Sequence, residues 1–179
     1  MAPAALAAVV LVLATGCGSS SDNTSSASDR TQWANDACGA FVTWQSDLKS
    51  VGNQFKNGQN LSKSSLQSAA GQVESATETL VDSLKGLGKP PSPAADEAKN
   101  AVDELGTELS DGADKIKSET EDVSGAQGVV TAVSGVTGTV SNMAGEINST
   151  LTKLQSIDSK GDWKQAFSSA QSCKTLKGS

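Results

Sequence analysis

The chain has 179 residues, a net charge of −6, 3% aromatic residues, no Tyr and no His. Without histidine it has neither the commonest general base, nor the commonest metal ligand, nor the usual partner of a Ser or Cys nucleophile, which excludes most hydrolase designs. The acidic balance, with basic residues never clustered beyond a pair, excludes binding of nucleic acid or anionic polymers through a basic patch.

Residues 4–14 are an apolar run, densest at Leu11, Val12 and Leu13, followed by Thr15, Gly16 and Cys17. An apolar stretch of this size before small residues is the pattern of an export signal, and about eleven residues cannot cross a bilayer core, which needs roughly twenty. The segment Leu13-Ala14-Thr15-Gly16-Cys17 resembles the lipobox of diacylglyceryl-modified lipoproteins. The resemblance implies a signal peptide over 1–16, a lipid on Cys17 and a protein anchored to the extracytoplasmic face of the cell membrane. Residues 18–27 are almost entirely Gly, Ser, Asp, Asn, Thr and Ala. They read as a tether with a random-coil reach of roughly 20 Å. The remainder, 29–179, suits one helical domain with a modest core.

With Cys17 acylated, Cys38 and Cys173 are the remaining cysteines. In an oxidising compartment two thiols most often pair, so a Cys38–Cys173 disulfide is predicted, with two free buried thiols as the alternative.

Apolar residues at steps of three and four predict four long helices. Helix 1 carries Phe41, Trp44, Leu48, Val51 and Phe55, and its start is predicted at a capping box formed by Asp29 and Gln32. Helix 2, over 62–85, carries Leu66, Val73, Leu80 and Leu87 at steps of seven, with Leu84 between. Pro90, Pro91 and Pro93 form a corner, with Ser92 predicted as the cap of helix 3 and Pro93 at its first position. That helix carries Ala98, Val102, Leu105, Leu109, Ala113 and Ile116. Helix 4 opens at a second predicted capping box, Ser124 to Gln127, and runs through Val129, Val133, Val136, Val140, Met143, Ile147, Leu151 and Leu154. A short helix 5 starts at Asp162. The expected fold is all-α: an up-down-up-down four-helix bundle with a short fifth helix disulfide-linked to helix 1. If helix 5 returns beside helix 1, Cys38 and Cys173 both stand about 14–16 Å from the same end.

All six aromatics fall in helices 1 and 5. Trp33, Phe41, Trp163 and Phe167 lie towards the tethered end, where they either pack the seam around the disulfide or form an exposed binding patch. Helix 4 contains Gly128, Gly135, Gly138 and Gly145 among many Val and Thr. Each glycine costs up to about 1 kcal/mol relative to Ala, which calls for close helix packing, local mobility or a ligand cavity in return; a strand over 129–140 is the competing assignment. The carboxylates of Glu108, Asp111, Asp114, Glu119, Glu121 and Asp122 lack the spacing of a calcium loop and read as a solvated face. No phosphate-cradling glycine loop and no metal or cofactor site is predicted.

The lipobox at Cys17, the Ser-rich tether, the Trp33, Cys38, Trp44 group and the late Cys173 together resemble the small helical lipoproteins of high-GC Gram-positive (actinobacterial) bacteria. That resemblance carries no functional residue with it. The expected role is a non-catalytic helical module that binds another envelope protein, with no nucleic-acid partner. The alternative is a carrier of a small apolar ligand in a cavity between helices 1, 4 and 5. An apolar cavity beyond roughly 300 Å³ favours the carrier, and a filled core with an exposed patch favours the module.

Overall fold

The computed structural model describes residues 26–55, 61–158 and 160–178. The signal segment, Cys17 and nearly all of the tether lie outside the described residues. Six helices follow one another: α1 (Ala27–Asn53), α2 (Lys63–Gly86), α3 (Ala95–Glu121), α4 (Gly125–Gln155), α5 (Asp162–Ser169) and α6 (Gln171–Gly178).

Local chemistry sets the helix ends, in several places differently from the expected pattern. The cap of α1 is Ser26 rather than Asp29: Ser26 Oγ accepts from the Asp29 N–H at 3.1 Å, and the Asp29 carboxylate accepts from the Ser26 N–H at 3.2 Å. Gln32 turns instead to Asp36, donating to it at 2.8 Å. Helix α2 starts behind Ser62, which forms a capping box with Ser65. Helix α3 begins at Ala95, two residues later than predicted, because Ser92 closes a preceding turn by accepting from the Ala94 N–H. At that corner Lys89 reaches Asp96 at 2.6 Å, and its hydrogen bond and charge hold the Asp96 carboxyl below the usual range. The Ser124–Gln127 box is not formed; Gly125 enters α4 with a left-handed φ of 66°, a conformation that suits glycine.

The predicted fifth helix is two helices, broken at Ala170, whose extended backbone has ψ 128°. The break turns α6 so that the Ser172 N–H donates to Asn35 Oδ1 on α1 at 3.0 Å. Asp158 caps α5, its carboxylate accepting from the backbone N–H groups of Gly161 at 2.5 Å and Trp163 at 3.0 Å.

The four long helices pack in sequence, α1 on α2, α2 on α3 and α3 on α4. The ring is not closed by α4 on α1, which scarcely touch. At one end the gap is filled by α5 and α6, both packed on α1, with α5 also meeting α4. Every apolar residue predicted for α3 is buried, as are Leu66, Val73, Leu80 and Leu84 of α2. The Trp44 indole donates to Thr77 Oγ1 at 3.2 Å inside the α1–α2 interface. Helix α4 divides in two. Met143, Ile147, Leu151 and Leu154 are in the core, whereas Val129, Val133, Val136 and Val140 are only half-buried.

The Cys38–Cys173 disulfide joins α1 to α6 across a Cα–Cα distance of 5.0 Å. It closes a sequence separation of 135 residues. In the chain-entropy model a loop of that size contributes about 5 kcal/mol. Replacing both cysteines by Ala should lower unfolding stability by about 2–5 kcal/mol in urea titration, and a loss below about 1 kcal/mol would show that the α5–α6 packing holds without the crosslink.

Close helix approach accounts for only one of the α4 glycines. A Cβ at Gly135 would stand 2.9 Å from the Glu119 carboxylate, whereas one at Gly138 or Gly145 meets nothing within 4 Å. Gly138→Ala and Gly145→Ala should therefore each raise stability by about 0.5–1 kcal/mol, read as a higher denaturation midpoint at unchanged slope.

Candidate functional site

The aromatic group near the start of α1 is core. Trp33 is 6% exposed, and Phe41, Trp163 and Phe167 are each 1% exposed. Trp33 and Trp163 meet edge to face, with ring centroids 5.4 Å apart and planes at 84°, and Phe167 lies 6.0 Å beyond Trp163. These four side chains pack the seam beside the disulfide and present no exposed patch. The Trp33 and Trp163 indole nitrogens meet no hydrogen-bond partner among the described residues. Burying such a group costs roughly 1–3 kcal/mol, set here against the large apolar area and edge-to-face contact of the pair. Trp163→Ala should accordingly cost about 3–5 kcal/mol of stability, whereas a surface residue would cost under about 0.5; denaturant unfolding separates the two.

Three recesses bear on function. Near the start of α1 a depression of about 520 Å³ lies between α1, α5 and α6. It is bordered by Ser28, Thr31, Gln32 and Asn35, and by the Arg30–Asp162 pair at 3.5 Å. It is the largest of the three, but it is open to solvent and lined by charged and polar side chains among small alanines, with no large apolar side chain in its wall. Between α1, α4, α5 and α6, where a ligand cavity was expected, the recess beside Cys38, Leu151 and Phe167 measures only about 230 Å³.

The third recess is where the bundle fails to close. Leu48, Val51 and Gly52 of α1 and Phe55 just past its end form one side, and Val133, Val136, Thr137, Val140 and Ser141 of α4 the other. Leu66, Ala69, Ala70 and Val73 of α2 form the floor. The cavity is about 380 Å³, within the range of about 300–1,000 Å³ typical of small-molecule sites. No charged side chain lines it; the polar groups are the hydroxyls of Thr137 and Ser141. Its α4 wall belongs to a stretch, residues 125–145, without a single charged residue. Beyond it Phe55, Leu66, Val123 and Ala132 close the distal end in a small apolar cluster of their own.

The sequence placed the groove residues on apolar stripes without bringing them together. Gly52, Ala69 and Ala70 were not singled out, although their small side chains leave the space that larger residues would fill. The signal available was the pairing of a Val- and Thr-rich half of helix 4 with alanines on helix 2.

Electrostatic features lie elsewhere. Partial burial pushes the Glu108 carboxyl up, the charges of Glu146 and Glu104 add to it, and Lys153 opposes. None of these residues lines the groove. Of the six carboxylates considered for a cation, all but Glu119 are exposed. Among the described residues no group of three or more His, Cys, Asp or Glu is placed to hold a metal ion. Nor, among them, is any helix long and apolar enough to cross a membrane. Comparison with protein-family models, curated proteins and solved structures finds no match.

Proposed function

We propose that the protein is a non-catalytic, lipid-anchored carrier that holds a small apolar ligand in the α1–α2–α4 groove on the outer face of the cell membrane. The observation that supports this reading is the uncharged, predominantly aliphatic cavity of about 380 Å³. Burial of about 25 cal/mol per Å² of apolar surface is the available driving force, and a preformed cleft reduces the ordering cost of binding. The anchor rests on the lipobox at Cys17 and gives the molecule its place in the envelope.

A second reading, a module that docks another envelope protein, draws on the exposed, uncharged side of α4, where Val130 is 57% exposed. It ranks below the carrier because the aromatic patch that first suggested it is buried.

Native mass spectrometry of the protein extracted from its own membrane in mild detergent tests both parts. The expected result is a diacylglyceryl-modified protein carrying a small adduct that leaves on unfolding. Val136→Asp places a charge on the half-buried groove wall and should abolish the adduct while leaving the helical circular dichroism intact. An adduct retained by Val136→Asp, or none in the wild type, would sink the carrier reading, and an unmodified Cys17 would remove the anchor.

A further inference from the structure

Resting on the carrier reading, we infer that the groove takes one unbranched hydrocarbon chain, belonging to a lipid other than the protein's own anchor, with its polar end left in solvent. Three features of the groove carry this. The walls are aliphatic, with Phe55 at one end as the one aromatic side chain, so a planar ring system has little to stack on. The two hydroxyls, Thr137 and Ser141, both belong to exposed positions on α4, so a ligand heteroatom placed at the α2 floor would go unpaired. A polymethylene chain has no such atom.

The third feature is shape. Each side contributes about two turns: 48–55, from the end of α1 and the turn after it, 66–73 of α2 and 133–141 of α4. At 1.5 Å per residue these are parallel strips about 10–12 Å long, giving a trough along the bundle axis. With C–C bonds of about 1.5 Å, an extended chain advances about 1.3 Å per carbon, so the trough holds about eight to nine carbons.

The choice of a foreign chain follows from what the anchor would lose by entering the groove. Leu48, the nearest groove residue to the start of α1, is 22 residues beyond Ser26, about 33 Å along the axis. Nine residue steps separate Cys17 from Ser26. Covalent geometry limits nine steps to about 32 Å at full extension, and a random coil of that length spans about 17 Å. Tether and acyl chain together can span that distance, but a chain of the anchor drawn into the groove would leave the bilayer, and an anchor left with one chain holds a protein only weakly, whereas a separate lipid carries no such cost.

The test is a titration of the full chain carrying Cys17→Ser with n-alkan-1-ols of five to twelve carbons, followed on the methyl resonances of Val133, Val136 and Val140. Affinity should rise about fourfold per added carbon and level off near eight to nine. Gly52→Leu is the companion variant. Gly52 lines the trough and a Cβ there meets nothing within 4 Å, so a leucine is accommodated without displacing the helix, and the plateau should move about three to four carbons shorter. Compact probes, 1-adamantanol and 2-naphthol, should bind more weakly than octanol. If they bind as tightly, with no length dependence among the alkanols, the carrier reading stands and the chain specificity falls. If no probe moves those methyl groups, both fall. If the acylated wild type refuses octanol while Cys17→Ser accepts it, the occupant is the protein's own anchor and the assignment to a separate lipid is overturned.

Discussion

The architecture depends on a shortfall of length between α4 and the two helices that return beside it. Helix α4 has 31 residues, about 46 Å, whereas α5 and α6 have 8 each, about 12 Å apiece. They pack on the N-terminal part of α1, with Arg30 facing Asp162 and Gly39 facing Ser172. Further along, Leu48 to Gly52 of α1 and Val133 to Ser141 of α4 border an open groove instead. The half-buried valines of α4, the cavity and the contrast between its two halves all follow from this one mismatch.

The covered half is held by unusually strong means for so small a domain. Most of the large aromatic side chains, the disulfide, the Asn35 cap on α6 and the Asp158 cap on α5 all lie on this seam. The open half has none of these. It relies on Phe55, Leu66, Val123 and Ala132 at its tip and on the α2 floor. Stability is thus concentrated at one end, leaving the groove walls in the part of the fold with fewer buried contacts, where local opening is expected to be easiest.

Helix existence and type were legible because the apolar spacing is long and regular; α3 in particular buries every residue its pattern selects. The disulfide followed from two cysteines and the export that the segment before Cys17 leads one to expect, and its register from counting residues up two neighbouring helices. Helix starts were less legible. Ser26 to Asp29 and Asp29 to Gln32 both satisfy the capping pattern, and only the first is made, leaving Gln32 to Asp36. The break at Ala170 has no Gly or Pro to announce it; the contacts of Ser172 with Asn35 and of Cys173 with Cys38 impose it from α1. The groove was hidden for a related reason. An apolar stripe records which face of a helix avoids water, and α4 keeps its stripe from Val129 to Leu154 whether or not a neighbouring helix covers it.

The glycines of α4 sharpen this point. Close packing explains Gly135, whose missing side chain leaves room for the Glu119 carboxylate, but Gly138 and Gly145 face open space. Gly138 lies directly beside Thr137 and within two residues of Val136 and Val140 on the groove wall. A wall segment of poor helix formers, unsupported by α1 and free of charged residues, deforms at lower cost than the Met143 to Leu154 half, which is fixed in the core. On the proposed anchoring through Cys17, the deformable half also stands about 33 Å beyond the start of α1, away from the anchored end. Closure by the crosslinked seam at one end and compliance at the other are therefore two results of one chain geometry, and on the proposed function the open end is where a ligand would enter without disturbing the part that keeps the bundle folded.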